Sequence, residues 1–151
     1  MNINFAAIAS DGLKAMKDLE THVRNSGLEK SLLELVKTRA SQLNGCAYCI
    51  DMHTKDARAN GETEQRLYGL ASWQETPFYS ERERAALRWT EALTAISNSR
   101  IQDTLIEETL RTFSEKDLAN LTLAVIAING WNRLAISSGM PAGSYIVGAW
   151  N

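Results

Sequence analysis

The two cysteines of this chain stand together as Cys46-Ala47-Tyr48-Cys49, and no others occur. A disulfide that serves stability gains most by closing a long loop, and this pair encloses almost nothing. Residues i and i+3 of a helix lie within the Cα separation that a disulfide tolerates, so the pair can be oxidised and reduced with little backbone motion. That property suits a redox centre better than a staple. At ~100° per helical residue, Cys49 lies about 300° and His53 about 340° around from Cys46, so the three share one narrow face. His53, at i+4 from Cys49, is placed for its imidazole to meet the sulfur. The thiolate is the reactive form of cysteine, and the first turn of a helix favours it through free N–H groups and the helix dipole, a field that both cysteines feel. Glu34 stands upstream on a preceding helix, and with a fold-back at Asn44-Gly45 a carboxylate on the inward side can reach the imidazole, directly or through water. Such a carboxylate orients His53, stabilises its protonated form and makes it a better acceptor of the thiol proton. The implied relay is Glu34, His53, Cys49.

At these residues the sequence resembles the alkylhydroperoxidase D (AhpD-like) family, within the wider carboxymuconolactone decarboxylase-like superfamily. The pattern of a Glu, a Cys-x-x-Cys and a following His is met by Glu34, Cys46, Cys49 and His53. The likeness covers chiefly residues 33–58 and is weaker over 118–141, where Asn129, Asn132 and Arg133 are similar to the family's second helix of note. The resemblance implies an all-helical antioxidant protein that reduces hydroperoxides with its cysteine pair, taking electrons from a dithiol or thioredoxin-type reductant and assembling as a homo-oligomer, a trimer or a hexamer. It also implies that Cys49 attacks the peroxide and Cys46 resolves the intermediate. Helix physics alone leaves that order open, since in many redox helices the first cysteine is the more exposed. The best-studied branch carries a second His between the cysteines, where this chain has Tyr48.

Other readings of the same residues are distinguishable. Cys46, Cys49, His53 and Glu34 are a possible zinc ligand set, but structural zinc usually cross-links two distant ligand pairs, so neither metal nor other cofactor is expected. A redox adaptor that passes electrons to a partner such as a peroxiredoxin uses the same two sulfurs by thiol–disulfide exchange. A lactone decarboxylase, the superfamily's other branch, gives no reason for paired cysteines and ranks last. His22 has no such companions and reads as a surface or capping residue. Trp73, Trp89, Trp131 and Trp150, with Met16, Met52 and Met140, read as core or interface packing.

The elements that must position these residues read almost entirely with helical period, and alternating β-branched runs between tight turns are scarce. An all-α helical bundle is expected. A first helix follows Ser10-Asp11, which can cap it, and ends at Asn25-Ser26-Gly27. A second spans about 29–43, with Leu32, Leu33, Val36, Ala40 and Leu43 on its apolar side, and a third runs from near Cys46 to Asn60-Gly61. A fourth covers about 64–71, and residues 73–79, holding Pro77, read as the longest loop. Ser80-Glu81-Arg82-Glu83 spells a capping box for a helix to about Ser97. Further helices are expected over about 103–112 and from Ser114 onward, the last with a disturbance at Asn129-Gly130. Asn132-Arg133 is placed to brace the site helix. The tail 144–150 is apolar for a chain end, which suits cover for a neighbouring subunit or docking onto its own domain.

Length and composition set the outer bounds. The 151 residues suit one domain over 1–151, and 44% hydrophobic with 23% charged residues is ordinary for a globular fold. Sixteen Lys and Arg against eighteen Asp and Glu, without long runs of either sign, argue against nucleic acid or an anionic membrane as the partner. The longest apolar run, Leu123 to Ile128, is far short of the ~20 residues of a membrane span. The first residues lack the basic segment of a signal peptide, so a cytoplasmic protein is expected.

Overall fold

The helix that carries Glu34 is buried on nearly every side, and the rest of the fold is arranged around it. The computed structural model describes residues 3–149. They form α1 (Phe5–Ile8), α2 (Ser10–Arg24), α3 (Lys30–Asn44), α4 (Ala47–Ala59), α5 (Glu64–Gly69), a 3-10 segment (Leu70–Glu75), α6 (Glu81–Thr94), α7 (Asp103–Leu110) and α8 (Glu115–Ser138), with no strand among the described residues. The all-α expectation is met. The central helix α3 packs against α4, α6 and α8, and α8 also packs against α2.

Two apolar clusters meet on α3. Leu32, Leu33 and Val36 join Val23, Ala86, Trp89, Leu121 and Val125 in one, while Leu35 joins Ala57, Leu67, Leu70, Trp73 and Leu87 in the other. A helix wedged between two clusters keeps little solvent side, which is why Lys37, Thr38 and Ser41 are buried as well. Leu43 departs from the expected apolar side and is 42% exposed, because it lies on the last turn, beyond the flanking helices' cover.

Local chemistry accounts for the remaining boundaries. Ser80 and Glu83 form the expected capping box, and Ser114 caps α8 by accepting from Asp117 N. At α2 the expected cap is absent: Ser10 is already helical, and the residue before it, Ala9, has only a methyl group, which accepts no hydrogen bond. The 3-10 segment replaces the first part of the expected loop, since Leu70 and Trp73 turn inward and keep the chain wound. Nor does α8 break at Asn129-Gly130. The missing side chain of Gly130 there makes room for Met16: a Cβ at that position would sit 2.7 Å from the Met16 Cε. Among the described residues no helix is long and apolar enough to cross a membrane.

Candidate functional site

A Schellman turn ends α3 and hands the chain directly to α4. Gly45 adopts φ 68°, where a side chain is disfavoured, and the N–H of Cys46 reaches back to the Ser41 carbonyl at 3.0 Å. Cys46 is thus the residue after one helix and the N-cap of the next, and its Sγ accepts from Cys49 N at 3.4 Å. The two cysteines are joined as a disulfide with Cα atoms 5.4 Å apart. Both are buried, against Ala135 of α8 and the half-buried Tyr48.

Because α4 folds back along α3, the predicted carboxylate and imidazole do meet. His53 Nδ1 lies 2.8 Å from Glu34 Oε2. A carboxylate only accepts, so Nδ1 is the donor and Nε2 is the nitrogen left to exchange a proton. His53 is buried while Glu34 is half-buried and borders a shallow surface pocket with Ser31, Ala57 and Gly61, so the relay has one end at solvent. The second predicted link is not a hydrogen bond in this oxidised form: one helical turn separates His53 from Cys49, and the sulfur is committed to its partner.

Sequence reading missed how the turn is held. Asn132, fully buried on α8, accepts from Asn44 Nδ2 at 2.8 Å and donates to Ser41 Oγ at 2.9 Å, while Asn129 Oδ1 also accepts from Asn44. Asn132 therefore braces the end of α3 that presents Cys46, rather than the site helix itself. Among the described residues Arg133 bonds Asn129 of its own helix. The tail fastens to the outer face of α4: Tyr145 OH donates to Asp56, Lys55 Nζ donates to the Tyr145 carbonyl, and Gly143 N donates to Asp51. Burial and then the Asp56 carboxylate push the Tyr145 phenol up to about 12. Asp51 is held below its usual range: burial opposes this, but Lys55 and the tail amide overcome it. Tail docking onto its own domain is thus seen at Tyr145, whereas Ile146 and Val147 are exposed and Trp150 lies outside the described residues.

The remaining candidates sort as follows. His22 is a surface residue whose Nε2 lies 3.1 Å from Asn120 Oδ1. Trp73 and Trp89 are core, Trp131, Met16 and Met52 are half-buried, and Met140 is exposed. Among the described residues no group of three or more His, Cys, Asp or Glu side chains is arranged to hold a metal ion, so the four candidate residues do not converge as a ligand set.

This helical frame, with a cysteine pair at a helix start, belongs to a known class. Residues 10–92 match the carboxymuconolactone decarboxylase family, and the chain belongs to it. An uncharacterized protein of Bacillus subtilis, YdfG, is 44% identical over 94% of this chain and 97% of its own. The crystal structure of a protein of unknown function from Agrobacterium tumefaciens, described as a candidate antioxidant defence protein AhpD, superposes with a TM-score of 0.90 at 39% identity, covering 95% of this chain and 99% of that one. The debrominase Bmp8 shares the fold at 18% identity, with a TM-score of 0.77 over 91% of this chain and 74% of that chain. The AhpD-like fold is thereby shown.

Proposed function

We propose that the protein is a thiol-dependent hydroperoxide reductase. The observation that carries this reading is the 2.8 Å contact between Glu34 and His53, one helical turn from a cysteine pair already joined as a disulfide. In the reduced protein the Cys49 thiolate attacks the terminal peroxide oxygen and the O–O bond breaks. Cys49 becomes a sulfenic acid, and the departing alkoxide or hydroxide takes a proton from the His53 relay or from water. The Cys46 thiol then attacks the sulfenic sulfur, water leaves and the disulfide forms. A dithiol or thioredoxin-type donor restores both thiols by exchange. Cys49, Cys46, His53 and Glu34 are thus assigned as attacking sulfur, resolving sulfur, proton carrier and orienting carboxylate.

Cys46 and Cys49 are 1% and 2% exposed in the single chain, so the reading includes local opening of the 46–49 turn to admit peroxide and reductant. The reading extends to a homo-oligomer, trimer or hexamer, supported by the exposed apolar side chains of Ile126, Ile136, Met140, Ile146 and Val147. The deciding experiment is peroxide consumption by the purified protein with a panel of dithiol and thioredoxin-type donors. Turnover that tracks the donor supports the reductase. Oxidation without turnover, together with a trapped mixed disulfide to a protein partner, assigns the protein as an electron carrier instead.

A further inference from the structure

Thr38 is fully buried on α3, and its Oγ1 has no hydrogen-bond partner among the described residues. Other buried hydroxyls satisfy themselves on the carbonyl one turn back, Ser41 on Lys37, Thr90 on Ala86 and Thr109 on Leu105. The same acceptor, the Glu34 carbonyl, lies one turn before Thr38 and is not used. Unsatisfied buried polar groups are rare in native proteins, and each calls for a physical reason.

The register of the α3–α4 hairpin supplies one. Glu34 meets His53 across the hairpin, and the bond from Cys46 N to the Ser41 carbonyl closes the turn between the two helices. Thr38 comes four residues after Glu34, and Cys49 four residues before His53, so Thr38 falls opposite Cys49. Glu34, Thr38 and Ser41 recur at helical spacing and so share one face of α3.

We propose that Thr38 Oγ1 donates a hydrogen bond to Cys49 Sγ in the reduced protein, as a positioning residue that keeps the thiolate on Cys49. In the oxidised form Thr38 Oγ1 makes no bond to the Cys49 sulfur; reduction frees Cys49 Sγ from its partner to turn about its Cα–Cβ bond and makes it a strong, charged acceptor, so the bond forms only after reduction. In that step a dithiol donor gives up two electrons and two protons and closes its own S–S bond. The Cys46–Cys49 bond breaks, one proton goes to Cys46, the other goes to solvent, and Cys49 is left as the thiolate. The helix start works against this outcome, because Cys49 N already donates to Cys46 Sγ and favours charge on Cys46. The Thr38 hydroxyl gives Cys49 a donor of its own. The inference rests on the proposed function only in taking Cys49 as the attacking sulfur.

The test reads ionisation and redox equilibrium rather than peroxide turnover. In a Cys46→Ser background, where Cys49 is the sole thiol, ultraviolet absorbance of the thiolate is followed against pH with and without Thr38→Val. The expected result is a Cys49 pKa higher by about one unit, a tenfold loss of thiolate in the titration range. With both cysteines present, Thr38→Val should shift the equilibrium with dithiothreitol about tenfold toward the disulfide, about 30 mV for this two-electron couple. Thr38→Ser should behave as the native protein and Thr38→Ala as Thr38→Val; this second pair decides the matter if Thr38→Val does not fold, since both lack the methyl group and differ in the hydroxyl. Unchanged ionisation in Val and Ala overturns the proposal, as does an equal shift in Ser. A native protein that turns over no peroxide, while the Thr38 variants shift as expected, removes the reductase reading and leaves this one standing.

Discussion

Cys46 and Cys49 compete for the negative charge, and their surroundings pull in opposite directions. Cys46 Sγ receives the N–H of Cys49, whereas His53, held by Glu34, stands one turn from Cys49. If Cys49 attacks peroxide, Cys46→Ser accumulates a sulfenic acid that a dimedone-type probe labels, and turnover stops because nothing resolves it. Cys49→Ser shows little labelling. Mass spectrometry after one equivalent of peroxide separates the cases, and strong labelling of Cys46 alone reverses the two roles. Glu34→Gln and His53→Gln should each slow peroxide reduction by about 10²- to 10⁴-fold without unfolding, with pH profiles displaced upward. The double variant should lose little more than either single one, since members of one relay do not act independently. Rate losses that multiply mean that the two residues work apart.

At the scale of elements, the site depends on where α3 stops. Asn132 fixes that end by bonding both Asn44 and Ser41. Asn132→Ala removes both bonds, although Asn44 keeps Asn129 and Ser41 keeps the Lys37 carbonyl, and each lost hydrogen bond is worth about 0.5–1.5 kcal/mol. Urea denaturation should show that loss, and peroxide reduction should fall with it because the Cys46 turn loosens. A variant as stable and active as the native protein means that the turn holds without α8. Gly130 makes the opposite case on the same helix. The atom a Cβ would meet is the terminal methyl of Met16, which can move aside, and Ala is a better helix former than Gly by about 1 kcal/mol. Gly130→Ala should therefore leave the denaturation midpoint unchanged or raise it; a clear fall means that α2 and α8 cannot give way at their contact.

At the scale of the whole molecule, the tail ties the outer face of α4 through Tyr145 and leaves Ile146 and Val147 exposed. The folded-state phenol of Tyr145 is raised above its usual 10 to about 12. Folding thus favours its neutral form, and the stability it contributes is fully present below pH ~10 and disappears as the pH rises through ~12. Absorbance titration should show Tyr145 ionising late, together with Tyr79, whose phenol burial also pushes up, and Tyr145→Phe should remove its own share of that late step. A native protein whose tyrosines all ionise near pH 10 has its tail undocked. Light scattering during size exclusion should give the mass of a trimer or hexamer, and Ile146→Lys should lower it; a native monomer removes the assembly from the proposed function.

What could be read from the chain alone were the features written in local spacing. The 3.6-residue period of α3, α4, α6 and α8, the Ser80 box, the Gly45 stop and the cysteine pair followed one turn later by His53 are all relations within a few residues, so the helices and the redox motif were legible in the sequence. The meeting of Glu34 with His53 could be anticipated because one short turn joins their helices. Whatever depends on which helix lies against which was not legible. Lys37, Thr38 and Ser41 are polar by type, yet burial follows from helices packed on every side of α3. Asn132 declares nothing by its spacing and gains its role only when α8 crosses the end of α3, just as Gly130 looks like a helix breaker until Met16 occupies the space beside it. Periodicity records which side of a helix prefers water, and only packing decides whether water is there.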